Sequence, residues 1–232
     1  MNSKKVSVII PARNEEEFIQ KTIENYRSQD YPVEIVVVVN NSQDKTYEIA
    51  KGKANKTLNF PDKIGVSAAR NEGAKVATGD IFIFSDADSY FGKNAVKNIA
   101  EQLGENTIGS PLGRQDGKGF KGWLFFAFKN WTHRLKIYDG VIDGILFCHK
   151  DIFFKAGGFD KNKKIGEFAD FISRAKLAGA KYKLFTNCYG TTSLRRYQKN
   201  GYLNSFIFWI KWKVTSILKK EQKLTEKYFD DK

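Results

Sequence analysis

The sequence predicts an α/β domain built on a mostly parallel central sheet flanked by helices. Three observations carry that expectation. Residues 6–10 (VSVII), 34–39 (EIVVVV) and 80–85 (DIFIFS) are short, nearly continuous apolar runs, as strands covered on both faces require. Helical start and stop signals fill the stretches between them. Each run also exits into a polar cluster: Arg13-Asn14-Glu15, Asn40-Asn41-Ser42 and Asp86-Ala87-Asp88. Strand and helix in alternation give a parallel sheet with helices on both faces, and such sheets bind ligands outside the carboxyl ends of their strands.

Taken in order, the first strand ends at Pro11, which has no N–H to continue a ladder. Asn14 then reads as a helix N-cap, with Glu15, Glu16 and Glu17 in the positive first turn and Glu17 at the capping-box position. That helix runs to about residue 28 and buries Phe18, Ile19, Ile23 and Tyr26. Pro32 precedes the second strand, and a helix over 45–51 follows it. A short strand at 57–60 and a helix over 66–77, stopped by Gly79, come next. The strand at 80–85 delivers Asp86 and Asp88, and a helix covers 94–103. The second half is less regular. Residues 104–122 hold six glycines and one proline and read as loop. A helix is expected over 123–137, a strand over 143–149, a short helix, a turn at Gly157-Gly158-Phe159-Asp160, and a helix from about Glu167. On that last helix Phe168, Phe171, Ile172 and Ala175 share one face, while Glu167, Asp170 and Arg174 share another.

Composition sets outer bounds. The 232 residues suffice for one large domain or a domain with an appendage, and 41% hydrophobic with 28% charged residues is ordinary for a folded chain. Two cysteines make neither a disulfide framework nor a zinc pattern, so a reducing, cytoplasmic compartment is the expectation. The first residues have too short an apolar run for a signal peptide, and no stretch approaches the ~18–20 apolar residues of a membrane span. A net charge of +13 favours anionic partners such as nucleic acid, anionic lipid or phosphorylated substrates, or else serves solubility alone. The basic residues concentrate near 114–136 and 195–223, among Trp, Phe and Tyr.

Asp86-Ala87-Asp88 carries the most chemistry. Two carboxylates at the exit of a buried strand are costly unless a cation offsets them. A divalent metal that shares its coordination with a substrate phosphate suits such oxygens. The alternative is a plain acidic loop.

The segments VSVIIPARNEEEFI, VVVVNNSQDKT, GVSAARNEGAKVATGDIFIFSDAD and GGFDKNKKIGEFADF occur in the order and at the spacing of family 2 glycosyltransferases, and together they resemble that family across about residues 6–177. The resemblance implies a single glycosyltransferase-A-like catalytic domain over 1–190, with a donor half (1–104) and an acceptor half (105–190). A basic, aromatic C-terminal extension, 191–232, would follow with an amphipathic helix. It implies that Pro11, Arg13, Glu15, Asn40 and Asn41 hold the base and ribose of a nucleoside-diphosphate sugar. Relatives carry Asp where this chain has one or both of Asn40 and Asn41, which leaves the choice of nucleotide open; the Asn pair alternatively makes a turn. Ser67 and Arg70 would contact the donor and Asn71 would brace the metal loop, unless they are only a solvated helix face. Asp88, with Asp86, would hold Mn²⁺ or Mg²⁺ on the donor diphosphate beside Ala87. Arg195 and Arg196 would close over the diphosphate or form a basic surface loop.

One position departs from the family pattern. Many relatives read G-E-D, with the Asp as general base, where this chain reads Gly166-Glu167-Phe168. Either Glu167 is the base, or Asp170 is, or the base is absent. An acceptor that is already a phosphate anion needs a base less. Asp143-Gly144, His149 and the aromatic run 123–131 fall in the acceptor region; His133 and His149 read as structural. Residues 204–218, with Trp209, Lys211, Trp212 and Lys213, read as an interfacial helix in peripheral contact with the inner face of the cell membrane, or as a helix packed on its own domain or on a second subunit. The expected function is metal-dependent, inverting transfer of a sugar to a saccharide or lipid-linked acceptor. The alternative is a sugar-nucleotide-binding relative that has lost transfer. Nucleotidyl transfer is disfavoured by the absence of a Gly-rich first loop, and nucleic acid is not expected as a partner because the cleft loop is acidic.

Overall fold

A computed structural model describes residues 4–135, 141, 144–163, 165–202, 204–205 and 207–208. In chain order the elements are β1 (Val6–Ala12), α1 (Ile19–Arg27), β2 (Val33–Asn40), α2 (Thr46–Lys53), β3 (Lys56–Phe60), α3 (Val66–Val76), β4 (Ile81–Ser85) and β5 (Ser89–Phe91). Then come α4 (Ala95–Gln102), β6 (Thr107–Gln115), α5 (Phe120–Arg134), β7 (Ile145–His149), α6 (Lys150–Lys155), α7 (Glu167–Leu177), β8 (Lys181–Thr192) and α8 (Arg195–Asn200).

The strands form one sheet in the order β3-β2-β1-β4-β7-β6-β8-β5. Pairings among β3, β2, β1 and β4 are all parallel, as is β6 with β8. The strand β7 is antiparallel to β4 and β6, and β5 is antiparallel to β8. The expected mostly parallel sheet is therefore present.

Side-chain alternation explains its two apolar faces. Val8 and Ile10 of β1, Ile35 and Val37 of β2, and Ile81 and Ile83 of β4 join one buried cluster with Ile19, Ile23, Val96 and Ile99 from α1 and α4. Their neighbours Ile9, Val36, Val38, Phe82 and Phe84 join a second cluster with Ala69, Phe153, Phe171 and Ile172 from α3, α6 and α7. A period of two on strands apolar at every position fills both sides of the sheet.

Several expectations are corrected. Pro11 does not stop β1: it stays in register with Val38, while pairing to β4 ends at Ile9–Phe84, so its missing N–H interrupts no ladder on that side. Asn14 does not cap α1, and Glu17 completes no capping box. The helix begins at Ile19 after Phe18, with no side-chain cap. Asn14 instead takes φ 51°, receives the Gln43 N–H on Oδ1 at 2.9 Å and donates its own N–H to Ser42 Oγ at 3.1 Å. It ties the first two strand exits together. The stretch 104–122 is not loop throughout, because β6 runs through it. Gly109 lies against the Phe147 ring, where a Cβ would sit 2.1 Å from Cε2, so glycine there answers a packing demand within a strand. The strands β5 and β8 are further elements that the sequence pattern did not separate. The expected strand at 143–149 starts at Ile145, and Asp143 lies outside the described residues. So does most of 204–218, including Trp209, Lys211, Trp212 and Lys213. Among the described residues no helix is long and apolar enough to cross a membrane.

Because a methyl at 109 has nowhere to go but into a ring held at 0% exposure, Gly109→Ala is expected to lower unfolding stability by about 1–3 kcal/mol, the usual cost of overpacking, read by urea denaturation. An unchanged midpoint would refute the packing argument.

Candidate active site

The polar clusters predicted at the strand exits converge at one end of the sheet, and two arginines organise them. Arg70, on α3, is only 1% exposed. Its Nη2 donates to Asp86 Oδ1 at 2.6 Å and its Nη1 donates to Glu167 Oε1 at 2.8 Å. The guanidinium lies 4.2 Å from the centroid of the Phe168 ring and 5.4 Å from that of Phe159. One buried cation thus joins the loop after β4 to the first turn of α7. The position of Glu167 follows from Gly166, whose φ of 73° makes the left-handed turn into α7. Phe168 faces the cation as an aromatic partner.

The second organiser is Arg195, in the first turn of α8. Its Nη2 donates to both Glu15 oxygens, at 2.5 and 2.6 Å, and lies 3.3 Å from Asp88 Oδ2. The face of Phe18 lies beneath it, 4.5 Å away. Burial opposes the charge on Arg195 most strongly of any single cause, but the hydrogen bonds to Glu15 and the charges of Asp88, Glu15 and Glu17 together outweigh it, so the guanidinium is held more firmly protonated than usual. Glu15 is itself fixed by its N–H, which donates to Thr46 Oγ1 at 2.8 Å.

The loop between β4 and β5 is shaped from both sides. The Asp86 N–H donates to Gly144 O at 3.1 Å, and a Cβ on Gly144 would meet Asp86 Oδ2 at 2.3 Å. Thr22 Oγ1 donates to Ala87 O at 2.7 Å. The Asp88 carbonyl receives the Ser193 N–H at 3.2 Å, so β8 closes over the loop.

The remaining residues are placed as follows. Pro11 is buried in β1. Arg13 is half-buried, and its Nε finds no hydrogen-bond partner among the described residues. Asn40 is buried, with Oδ1 accepting the Ile64 N–H at 2.9 Å. Asn41 takes φ 56° and donates its N–H to Phe60 O at 2.7 Å and its Nδ2 to Pro61 O. Ser67 Oγ is 3.4 Å from Lys163 O. Asn71 does not brace the acidic loop. Its amide bonds both ways to the Phe159 backbone, at 2.8 and 2.9 Å, and holds the Gly158-Phe159 turn. Asp170 lies one turn along α7 from Glu167, with Oδ2 held by Arg174 Nε and Nη2 at 2.9 and 2.8 Å. His133 bonds the Tyr182 hydroxyl at 2.6 Å and His149 bonds Leu103 O at 3.3 Å, both structural contacts. Nothing in the sequence pattern pointed to Thr22 or Phe18 as parts of this site, because each acts through residues far away in the chain; Gly144 stood out only as part of the acceptor region, not as the partner of Asp86.

Among the described residues no group of three or more His, Cys, Asp or Glu side chains is arranged to hold a metal unaided. Asp86 and Asp88 nevertheless supply two hard carboxylates at one strand exit. That donor set fits a divalent cation that completes its shell with phosphate oxygens and water.

A mostly parallel sheet with two linked acidic loops at its carboxyl edge defines a nucleotide-sugar-transferase type of fold. The family description "Glycosyl transferase family 2" matches residues 7–198, and the chain belongs to that family. It is 40% identical over 106 residues (41% of this chain, 33% of the relative) to a Methanococcus voltae dolichyl N-acetyl-alpha-D-glucosaminyl phosphate 3-beta-D-2,3-diacetamido-2,3-dideoxy-beta-D-glucuronosyltransferase. It is 33% identical over 147 residues (60% and 26%) to the Staphylococcus aureus poly(ribitol-phosphate) beta-N-acetylglucosaminyltransferase TarS. It is also 33% identical over 133 residues (53% and 37%) to a dolichol-phosphate mannosyltransferase of Pyrococcus furiosus. The chain therefore spans only 26% to 37% of the lengths of these relatives. Among solved structures, the mannosyltransferase PcManGT of Pyrobaculum calidifontis, in complex with GDP-Man and Mn²⁺, aligns with TM-score 0.68 and 19% identity over 82% of this chain and 57% of that one. S. aureus TarS in complex with UDP-GlcNAc aligns with TM-score 0.63 and 21% identity over 81% and 58%. Both share the fold.

Removing the Arg70 cation leaves Glu167 largely buried and unpaired, and Asp86 half so. Arg70→Met is expected to cost about 3 kcal/mol, the low end for breaking a buried ion pair, because Asp86 keeps partial contact with water. A change under about 1 kcal/mol in chemical denaturation, the size of an exposed pair, would show that the bridge contributes little.

Proposed function

We propose that this chain transfers a sugar, with inversion, from a nucleoside-diphosphate sugar to a hydroxyl or phosphate of a saccharide or lipid-linked acceptor. The observation that carries the reading is the Arg70 bridge, which brings the Asp86 loop and Glu167 to one place at the carboxyl edge of the sheet. The named activities of the relatives and the sugar nucleotides bound in the solved structures support the same class of reaction.

In this reading Pro11, Arg13, Glu15, Asn40 and Asn41 line the nucleotide end of the donor site, with Ser67 and Arg70 behind it. Asp86 and Asp88 would hold Mn²⁺ or Mg²⁺, which when bound neutralises charge developing on the departing nucleoside diphosphate. Arg195 leaves Glu15 and Asp88 to meet the diphosphate, joined by Arg196. Glu167 is the base. Arg70 engages its Oε1, and Oε2 takes the acceptor proton. Asp170 is the weaker candidate because its cation, Arg174, ties it to Ala156 O at the end of α6, whereas Glu167 shares its cation with the Asp86 loop. The acceptor approaches over the half formed by residues 105–190. There a groove of about 420 Å³ lies between α5, β6 and β8, lined by Arg114, Gln115, Trp123, Asn130, Trp131 and Tyr189. Aromatic faces with polar groups beside them suit sugar rings. Residues 191–198 complete the donor side, and the chain would act from the cytoplasm on acceptors at the membrane.

Two measurements test this. A nucleoside diphosphate with Mn²⁺ at about 100 times its Kd is expected to add about 2.7 kcal/mol, or roughly 5–10 °C of melting temperature for a domain of this size. No rise with any nucleotide would overturn donor binding. Glu167→Gln, which still accepts from Arg70, is expected to lower turnover by about 10²- to 10⁴-fold with that nucleotide shift intact, while Asp170→Asn stays near wild type. Full activity in Glu167→Gln removes Glu167 as the base. Donor binding without turnover in the unaltered chain would favour a relative that has lost transfer.

A further inference from the structure

The helix α5 has two apolar stripes, and only one faces the protein. Gly122, Phe126 and His133 are buried toward β6, where Asn130 Oδ1 and Nδ2 bond the Gly113 backbone at 2.9 and 2.8 Å. The other stripe is Phe120, Leu124, Phe128, Trp131 and Leu135, spaced four, four, three and four residues apart, which is one continuous helix face. These side chains are 74%, 53%, 43%, 54% and 53% exposed, and Trp123 beside them is 58% exposed. Contiguous exposed apolar surface of this kind marks an interaction site.

Charge selects the partner. Residues 117–135 contain no Asp or Glu, while Lys118, Lys121, Lys129 and Arg134 lie within them. The nearest acid, Asp116, is committed to Lys21 at 2.7 Å. A second copy of this chain meeting through the same face would set cations against cations. Residues 204–218 are no better matched, since they too carry lysines and no acid. An anionic lipid surface supplies both a negative headgroup layer and an apolar layer for rings at its boundary.

We propose that α5 docks this protein flat on an anionic bilayer, with Phe120 and Leu124 entering the headgroup boundary. The position also serves the proposed reaction. Gln115, at the end of β6, pairs with Thr192, which pairs with Ser89, the residue after Asp88. The start of α5 therefore lies at the sheet end that carries the acidic loop. A lipid-linked acceptor lying in the bilayer would present its head group there without leaving the membrane.

The test is co-sedimentation of the full chain with vesicles of phosphatidylcholine alone or mixed with phosphatidylglycerol. No donor or acceptor is present, so its outcome is independent of transfer activity. Binding to the anionic vesicles, weakened by salt and weak on neutral ones, is expected. Phe120→Glu with Leu124→Glu, both exposed and outside the groove, should abolish pelleting while the melting temperature holds. Lys118→Gln with Lys121→Gln should weaken binding about 30-fold, roughly fivefold per charge lost. A wild-type chain that stays in the supernatant overturns the proposal. So does a Phe120→Glu/Leu124→Glu chain that pellets like wild type, which would move the contact to another segment. A dimer abolished by the same pair of changes, without vesicle binding, overturns it in favour of a self-interface.

Discussion

The organisation of the site depends on one buried charge. Arg70 sits at 1% exposure and would be prohibitive there alone, since an isolated charge in a protein interior costs several kcal/mol or more. Two carboxylates from opposite halves of the chain offset it, and the rings of Phe168 and Phe159 cover its faces. The arrangement is reciprocal. Asp86 and Glu167 repel one another and stay close only while the guanidinium lies between them. This also accounts for Phe168. An acid at that position would add a third negative charge to a single cation, whereas an aromatic face presents its negative quadrupole without a formal charge.

Arg195 repeats the device at the first and third strand exits, with a difference in exposure. Its side chain is 35% exposed, against 1% for Arg70, while its partners Glu15 and Asp88 are 7% and 16% exposed. The buried arginine is a fixed strut. The more exposed one is, in the proposed reading, the cation that would turn toward a diphosphate, although the carboxylates it pairs are themselves largely buried. Two cations of the same type thus differ in depth.

Much of this was legible in the chain. Continuous β-branched and aromatic runs identified β1, β2 and β4, because a strand buried on both faces leaves no polar position to confuse the pattern. Asp86, Asp88, Glu15 and Glu167 stood out as polar residues at strand exits or helix starts, while Arg70 and Arg195 were marked by the family resemblance. Their partners did not. Arg70 to Glu167 and Arg195 to Glu15 are tertiary pairings without a local signature. The strand β6 was hidden by glycines that read as loop, although Gly109 is there to admit the Phe147 ring. The Lys181-Tyr182-Lys183-Leu184 alternation did carry a strand signal for β8. Asn14 misled because its helix-capping chemistry is the same chemistry that lets it adopt a left-handed turn and bond the neighbouring loop.

The two arginine pairings also set an order of assembly. Glu15 and Arg195 are 180 residues apart, and Arg70 and Glu167 are 97 apart. The parallel pairings of β1, β2, β3 and β4, by contrast, close within the first 85 residues. Entropy of loop closure makes the distant contacts the slower ones to form. As the chain emerges during synthesis, its first half can collect its own sheet and pair Asp86 with Arg70, 16 residues away, before Glu167 and Arg195 are present. Only when β8 and α8 arrive does Arg195 reach Glu15. The C-terminal part of the fold therefore completes the site last: a chain that stops short of α7 has β1 to β4 but neither Glu167 nor Arg195.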